Sequence, residues 1–221
     1  MNTLLELKQI KLHYKNYNTS VEVIKGIDLK IHSGEKVAVV GKSGSGKTSL
    51  IMLMGGLEKP SSGEIIFDQQ SISGFSEDQL ADIRKQKIGI VFQSFYLIPN
   101  YTALENVSLI LEINGDKNAK QQAEELLVQF GLKDRLNHFP TQLSGGEQQR
   151  VAIARSMAVK PKMILADEPT GNLDSENSDM ISKLLFEYAD KNQSSLVLVT
   201  HDLKFAEKCD RMIKIEDGMI V

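Results

Sequence analysis

The segment Gly41-Lys42-Ser43-Gly44-Ser45-Gly46-Lys47-Thr48 fits G-x-x-x-x-G-K-[ST], and no other feature restricts the fold of this chain as much. It follows Lys36-Val-Ala-Val-Val40, an apolar run of buried-strand type, and precedes a helical pattern from Thr48 to Leu57. A glycine-rich loop between a strand and a helix is a phosphate cradle: backbone N–H groups and the helix N-terminus face an anion. Lys47 brings a point charge to the β- and γ-phosphates, and Thr48 offers a hydroxyl to Mg²⁺. Ser49, next in the helix, completes this set of candidate nucleotide contacts.

The rest of the chain reads as α/β. Leu4 to Leu12 and Val21 to Ile31 alternate apolar and polar residues as strands do. After the turn at Lys59-Pro-Ser-Ser-Gly63 come a strand from Glu64 to Phe67, a helix near Ser76 to Arg84 and a strand from Lys87 to Phe92. From Ala103 to Val159 the pattern is helical, interrupted by Asn114-Gly115, Gly131, Pro140 and Ser144-Gly-Gly146. Met163 to Asp167 and Leu196 to Thr200 are apolar without alternation, as in parallel strands covered on both faces, with a helix from Ser175 to Ala189 between them. A sheet core with a helical insertion is expected.

Asp167-Glu168 supplies what a phosphate cradle lacks. An Asp ending a buried strand can hold the metal through its water shell, and the next carboxylate can polarise an attacking water. Alternate strand residues face opposite ways, which gives the two acids different roles.

Composition removes several classes. Lys plus Arg (26) against Asp plus Glu (29) leaves a net charge of −3, so there is no overall basic field to hold a nucleic acid, and none is expected as a partner. One cysteine, Cys209, forms no internal disulfide and suits a reducing compartment. The longest apolar stretch, Ile51 to Leu57, is far short of the roughly 20 residues that cross a bilayer, and Glu6 and Lys8 interrupt the N-terminus as no signal peptide does. A membrane role is therefore expected to be peripheral.

Leu143-Ser144-Gly145-Gly146-Glu147-Gln148-Gln149-Arg150, opening a helix through Arg155, resembles the signature of ABC-type ATPases, and the likeness extends over nearly the whole chain. It implies a P-loop ABC ATPase fold with N-terminal antiparallel strands and an inserted helical subdomain. The implied division is a nucleotide-binding core at 1–95 and 160–221 and a helical subdomain at about 96–159. It implies ATP and Mg²⁺ as ligands and ATP hydrolysis coupled to transport. Position by position, Tyr14 matches the aromatic that stacks on adenine, and Tyr17 lies close by. Gln93 matches the glutamine that touches Mg²⁺, alongside Thr48 and Asp167. Glu168 matches the general base and His201 the switch residue at the γ-phosphate. Ser144 to Glu147 match a second anion site that faces the nucleotide of another copy. Asp174, in Gly171-Asn-Leu-Asp174, matches the loop crossing that dimer interface, with Asn172 where many relatives carry alanine.

Val91-Phe-Gln-Ser-Phe-Tyr-Leu-Ile-Pro99, Thr102-Ala-Leu-Glu-Asn-Val107 and Ala166-Asp-Glu-Pro-Thr-Gly-Asn-Leu-Asp174 resemble the branch that includes the lipoprotein-releasing and macrolide-export ATPases. The resemblance implies an integral membrane transporter subunit and a second copy as partners, at the cytoplasmic face of a bacterial inner membrane. A non-transport membrane machine in cell division or signalling would use the same engine; a soluble ABC ATPase is the remaining alternative. The chain departs from these relatives in ending at Val221 and in lacking a proline in Val107-Ser-Leu-Ile-Leu111.

Overall fold

The computed structural model describes residues 2–16 and 19–221. In chain order its elements are β1 (Thr3–Asn16), β2 (Thr19–His32), β3 (Lys36–Val40), α1 (Lys47–Met54), β4 (Ser62–Phe67), β5 (Gln70–Ser71), α2 (Glu77–Lys87), β6 (Ile88–Val91), α3 (Ala103–Ile113) and α4 (Ala119–Gln129). There follow α5 (Gly145–Met157), β7 (Met163–Asp167), α6 (Ser175–Asn192), β8 (Ser195–Val199), α7 (Leu203–Ala206), β9 (Arg211–Glu216) and β10 (Met219–Ile220), with 3₁₀ turns at Lys133–Arg135 and Pro140–Gln142. The chain divides into two compact units, Met1–Arg84 with Ser195–Val221, and Lys85–Ser194.

The first unit holds two sheets. One is antiparallel, in the order β2-β1-β4-β5. Leu5, Leu7, Ile10 and Leu12 of β1 are all buried although their spacing is not a strict two, because the register shifts between Leu7 and Ile10 and Gln9 takes a positive φ of 49°. In the second sheet β3 lies between β8 and β9, parallel to both, and β10 returns antiparallel to β9. Val37, Ala38 and Val39 are fully buried between these neighbours. The β-branched, uncharged run that suggested a covered strand therefore occupies a central one.

The second unit pairs β6 with β7 in parallel, Val91 opposite Ala166, and packs α3, α4 and α5 on one another; Val107, Leu111, Ala123, Leu127, Val151 and Ala154 of these helices are buried. Three of its helices, α3, α5 and α6, start on explicit side-chain caps. Thr102 and Glu105 form a capping box on α3, Ser144 and Glu147 form one on α5, and Asp174 accepts from Asn177 N on α6.

Several boundaries differ from the sequence reading. The helix after the cradle ends at Met54 rather than Leu57, because Gly56 takes a left-handed φ of 62° and the Gly56 and Leu57 N–H groups turn back to Leu53 O and Met52 O. Lys87 belongs to α2, and β6 begins only at Ile88. α6 continues past Ala189 to Asn192, where Gln193 in the left-handed region stops it. The polar-rich C-terminal strands β9 and β10 escaped the pattern, since β9 buries only Ile213 and Ile215.

Candidate functional site

In the first unit the cradle leaves β3 and turns into α1. Gly41, Gly44 and Gly46 take φ of 155°, 76° and 103°, and Gly46 caps α1 in the left-handed region without any side-chain acceptor for the first N–H groups. The exposed dipole end and these N–H groups suit an oxyanion. Lys47 is 8% exposed, and its ammonium donates to Gly41 O at 2.9 Å and Lys42 O at 2.8 Å. It therefore lies over the loop it serves. Ser45 Oγ is buried without a hydrogen-bond partner among the described residues.

A brace from the C-terminal hairpin supports this loop. Gly218 N donates to Ser45 O at 3.1 Å, and Gly218 O accepts from Lys25 N of β2 at 2.9 Å. The hairpin was invisible to motif reasoning; the Asp217-Gly218 pair, both at positive φ, is the signal that could have found it.

His201 leaves β8 beside the strand that launches the cradle, since Val199 pairs with Val39 and Thr200 N donates to Val39 O at 3.3 Å. The structure thus brings the start of the cradle and His201 to the same carboxyl edge of one parallel sheet, the edge where such sheets bind ligands. His201 is exposed. Tyr14, 47% exposed on β1, donates from its hydroxyl to Glu58 Oε2 at 3.2 Å. Burial, then the Glu58 charge, raise its pKa. Tyr17 lies outside the described residues.

In the second unit Asp167 ends β7 almost fully buried, and Gln93 follows β6, so the parallel pair delivers both to one edge. Glu168 is not part of the strand: it takes φ 47°. This left-handed residue, rather than strand alternation, separates its direction from that of Asp167. Gln93 Nε2 donates to Asn172 Oδ1 at 3.1 Å, and Asn172 Nδ2 donates back to Gln93 O at 3.3 Å.

The Ser144-Gly145-Gly146-Glu147 turn is a closed cap here. Ser144 N donates to Glu147 Oε2 at 2.8 Å, Glu147 N to Ser144 Oγ at 3.3 Å, and Arg135 Nε to Glu147 Oε1 at 2.7 Å. Burial pushes the Glu147 carboxyl up, but the Ser144 bonds and the Arg135 guanidinium outweigh it and hold it below its ordinary value. Asp174 is likewise lowered by the Asn177 N–H and side-chain amide, at 2.9 and 2.8 Å.

Three supports were missed. Gln149, fully buried, donates to Pro169 O at 2.7 Å and Phe92 O at 3.3 Å. Arg155 donates to Tyr96 O at 2.7 Å and Phe95 O at 3.1 Å. Asn106, also buried, accepts from Ile98 N and donates to the Ile98, Tyr101 and Thr102 carbonyls. Each is an ordinary polar residue on a helix until the fold shows what faces it.

The sequence pattern of the family described as ABC transporter matches residues 24–171. The chain belongs to the ABC transporter family. This ABC cassette is 46% identical over 221 residues to the lipoprotein-releasing system ATP-binding protein LolD of Idiomarina loihiensis, covering 99% of this chain and 97% of that protein. It is 48% identical over 207 residues to LolD 2 of Chlorobaculum tepidum, covering 90% and 84%. Among solved structures it is similar to the ATP-binding cassette MJ0796 in a dimeric post-hydrolysis state bound to ADP and Pi. The TM-score is 0.92 and the identity 40%, over 98% of this chain and 96% of that one. The protein cbiO1 of Clostridium perfringens, part of the ABC transporter complex cbiONQ, superposes with a TM-score of 0.86 at 29% identity, over 100% of this chain and 88% of that one. The P-loop ABC ATPase fold and ATP as its nucleotide are thereby established. Among the described residues no helix is long and apolar enough to cross a membrane.

Proposed function

We propose that this cassette is the ATP-hydrolysing subunit of a lipoprotein-releasing system, held peripherally at the cytoplasmic face of the inner membrane by an integral membrane subunit. The observation that carries the reading is the 46% identity to LolD of Idiomarina loihiensis over nearly the full length of both chains. The dimeric state of the ADP- and Pi-bound cassette supports a working unit of two copies closed head to tail over two ATP molecules.

In this reading Gly41–Thr48 and Ser49 hold the phosphates, Tyr14 stacks on adenine, and Ser144–Glu147 with Asp174 meet the nucleotide and the edge of the facing copy. Glu168 takes a proton from the attacking water, and His201 reports the γ-phosphate. Thr48, Gln93 and Asp167 would hold Mg²⁺. They offer hydroxyl, amide and carboxylate oxygens, the hard donors this ion takes, and too few of them to bind it without phosphate. That suits a chain whose described residues contain no cluster of three or more acidic, His or Cys ligands. When bound, the ion would neutralise charge developing on the β- and γ-phosphates. The functional division belongs to the same reading: a nucleotide-binding core at 1–95 and 160–221, and a helical subdomain at about 96–159.

Affinity purification from mildly solubilised membranes tests it. The expected companion is an integral protein with few transmembrane helices and a large extracytoplasmic domain, whose co-reconstitution with this chain makes lipoprotein release ATP-dependent. Recovery with a cell-division or signalling membrane protein, or with soluble partners alone, overturns the transport reading and leaves the ATPase intact.

A further inference from the structure

Asn172 is an amide where many ABC relatives carry alanine, within the Ala166–Asp174 stretch, and nothing in the ATPase chemistry explains it. Its surroundings do. The side chain closes a reciprocal pair of hydrogen bonds on Gln93, accepting from Gln93 Nε2 at 3.1 Å and donating to Gln93 O at 3.3 Å. An alanine could make neither. The residue before it leaves room for the same group: a Cβ added to Gly171 would stand 2.8 Å from Gln93 Nε2 and 3.2 Å from Cδ. Backbone and side chain of the Gly171-Asn172 turn therefore form a seat for one amide.

Gln93 needs such a seat. It is exposed, in a loop where an amide has free rotation about its side-chain torsions, so its orientation is otherwise unfixed. The amide offers an oxygen on one side and an NH₂ on the other, and Asn172 Oδ1 takes the NH₂. That leaves the Gln93 Oε1, the atom with affinity for a cation, facing away from Asn172. The turn is anchored at both ends within its unit. Gly171 N donates to Glu168 O at 3.0 Å, and Asp174 caps α6. Two hydrogen bonds thus link Gln93 to the loop that carries Asp174.

We propose that Asn172 is a positioning residue for Gln93, fixing which face of its amide is presented and coupling it to the loop that carries Asp174. The inference rests on the reading that Gln93 serves the Mg–ATP site.

The test compares Gln93→Ala, Asn172→Ala, Gly171→Ala and the Gln93→Ala/Asn172→Ala double variant in the purified full-length chain, following ATP turnover at saturating Mg²⁺ and thermal unfolding. Loss of two neutral hydrogen bonds should lower kcat about three- to tenfold in Asn172→Ala, with KM for ATP changing less than about twofold. Gly171→Ala should do the same by displacing the amide while leaving Asn172 in place. The double variant should be no slower than Gln93→Ala alone, because a positioning residue has nothing left to position. Unchanged turnover in Gln93→Ala would sink the underlying reading and the inference with it. A slow Gln93→Ala beside a wild-type Asn172→Ala overturns the inference alone. So does a double variant whose losses multiply, or a loss in Asn172→Ala that tracks a lowered melting temperature.

Discussion

Gln149 reaches from the second turn of α5 to the carbonyl of Pro169, donating at 2.7 Å, and the same Nε2 lies 3.3 Å from the carbonyl of Phe92. One buried amide thus ties the residue after Glu168 to the residue before Gln93. Gln149→Leu keeps the volume and strands both carbonyls, which should cost about 1–3 kcal/mol in urea unfolding. It should also slow ATP turnover, since the left-handed backbone at Glu168 loses its tether. Wild-type values for both would show that neither loop depends on the link.

Glu168→Gln preserves shape and removes the carboxylate proposed as the base. Retained ATP affinity with turnover lowered by about 10²–10⁴ is expected, read as phosphate release and as nucleotide retained on the protein. Hydrolysis at the wild-type rate would remove Glu168 from the role of base.

Lys47→Ala deletes a buried ammonium that is bonded to two loop carbonyls. Calorimetric titration should show ATP affinity falling about 10- to 100-fold, the scale of charge-assisted hydrogen bonds. Unchanged affinity would count against the cradle.

Gly218 takes φ 77°, and an added Cβ would sit 2.4 Å from Val23 O. Gly218→Ala should therefore cost about 1–3 kcal/mol and, through the lost bond to Ser45 O, weaken ATP binding. Asp217→Asn, which removes only an exposed ion pair with Lys25, should stay within about 0.5 kcal/mol of wild type. Equal effects from the two variants would show that the hairpin supports the loop by charge and not by backbone.

Glu147 makes stability depend on pH. Its folded pKa lies below the unfolded one, so its contribution is complete above the ordinary carboxylate value and disappears as pH falls through the lowered folded value. Glu147→Gln keeps the capping box and loses the ion pair with Arg135, so it should cost about 0.3–1 kcal/mol at pH 7. The two stability curves should converge below about pH 4. A gap that persists into acid would assign the effect to packing.

Motifs that act through their own backbone were legible one residue at a time. Gly41 to Thr48 announce a cradle because glycine spacing and a lysine suffice to describe it, and Ser144 to Glu147 announce a helix start for the same reason. Runs such as Val37–Val39 and Met163–Ala166 showed their double-sided burial in composition alone.

What local pattern could not show was which distant group each polar side chain would meet. Gln149 and Phe92 are 57 positions apart, Gln93 and Asn172 are 79 apart, and the hairpin that braces Ser45 lies at the far end of the chain. By itself the sequence determined the parallel-sheet ATPase and the residues able to touch phosphate, because helix, strand and cradle chemistry are local. Only the tertiary structure decided how those residues are held, because a hydrogen bond between remote segments exists only once the fold has closed the loop between them.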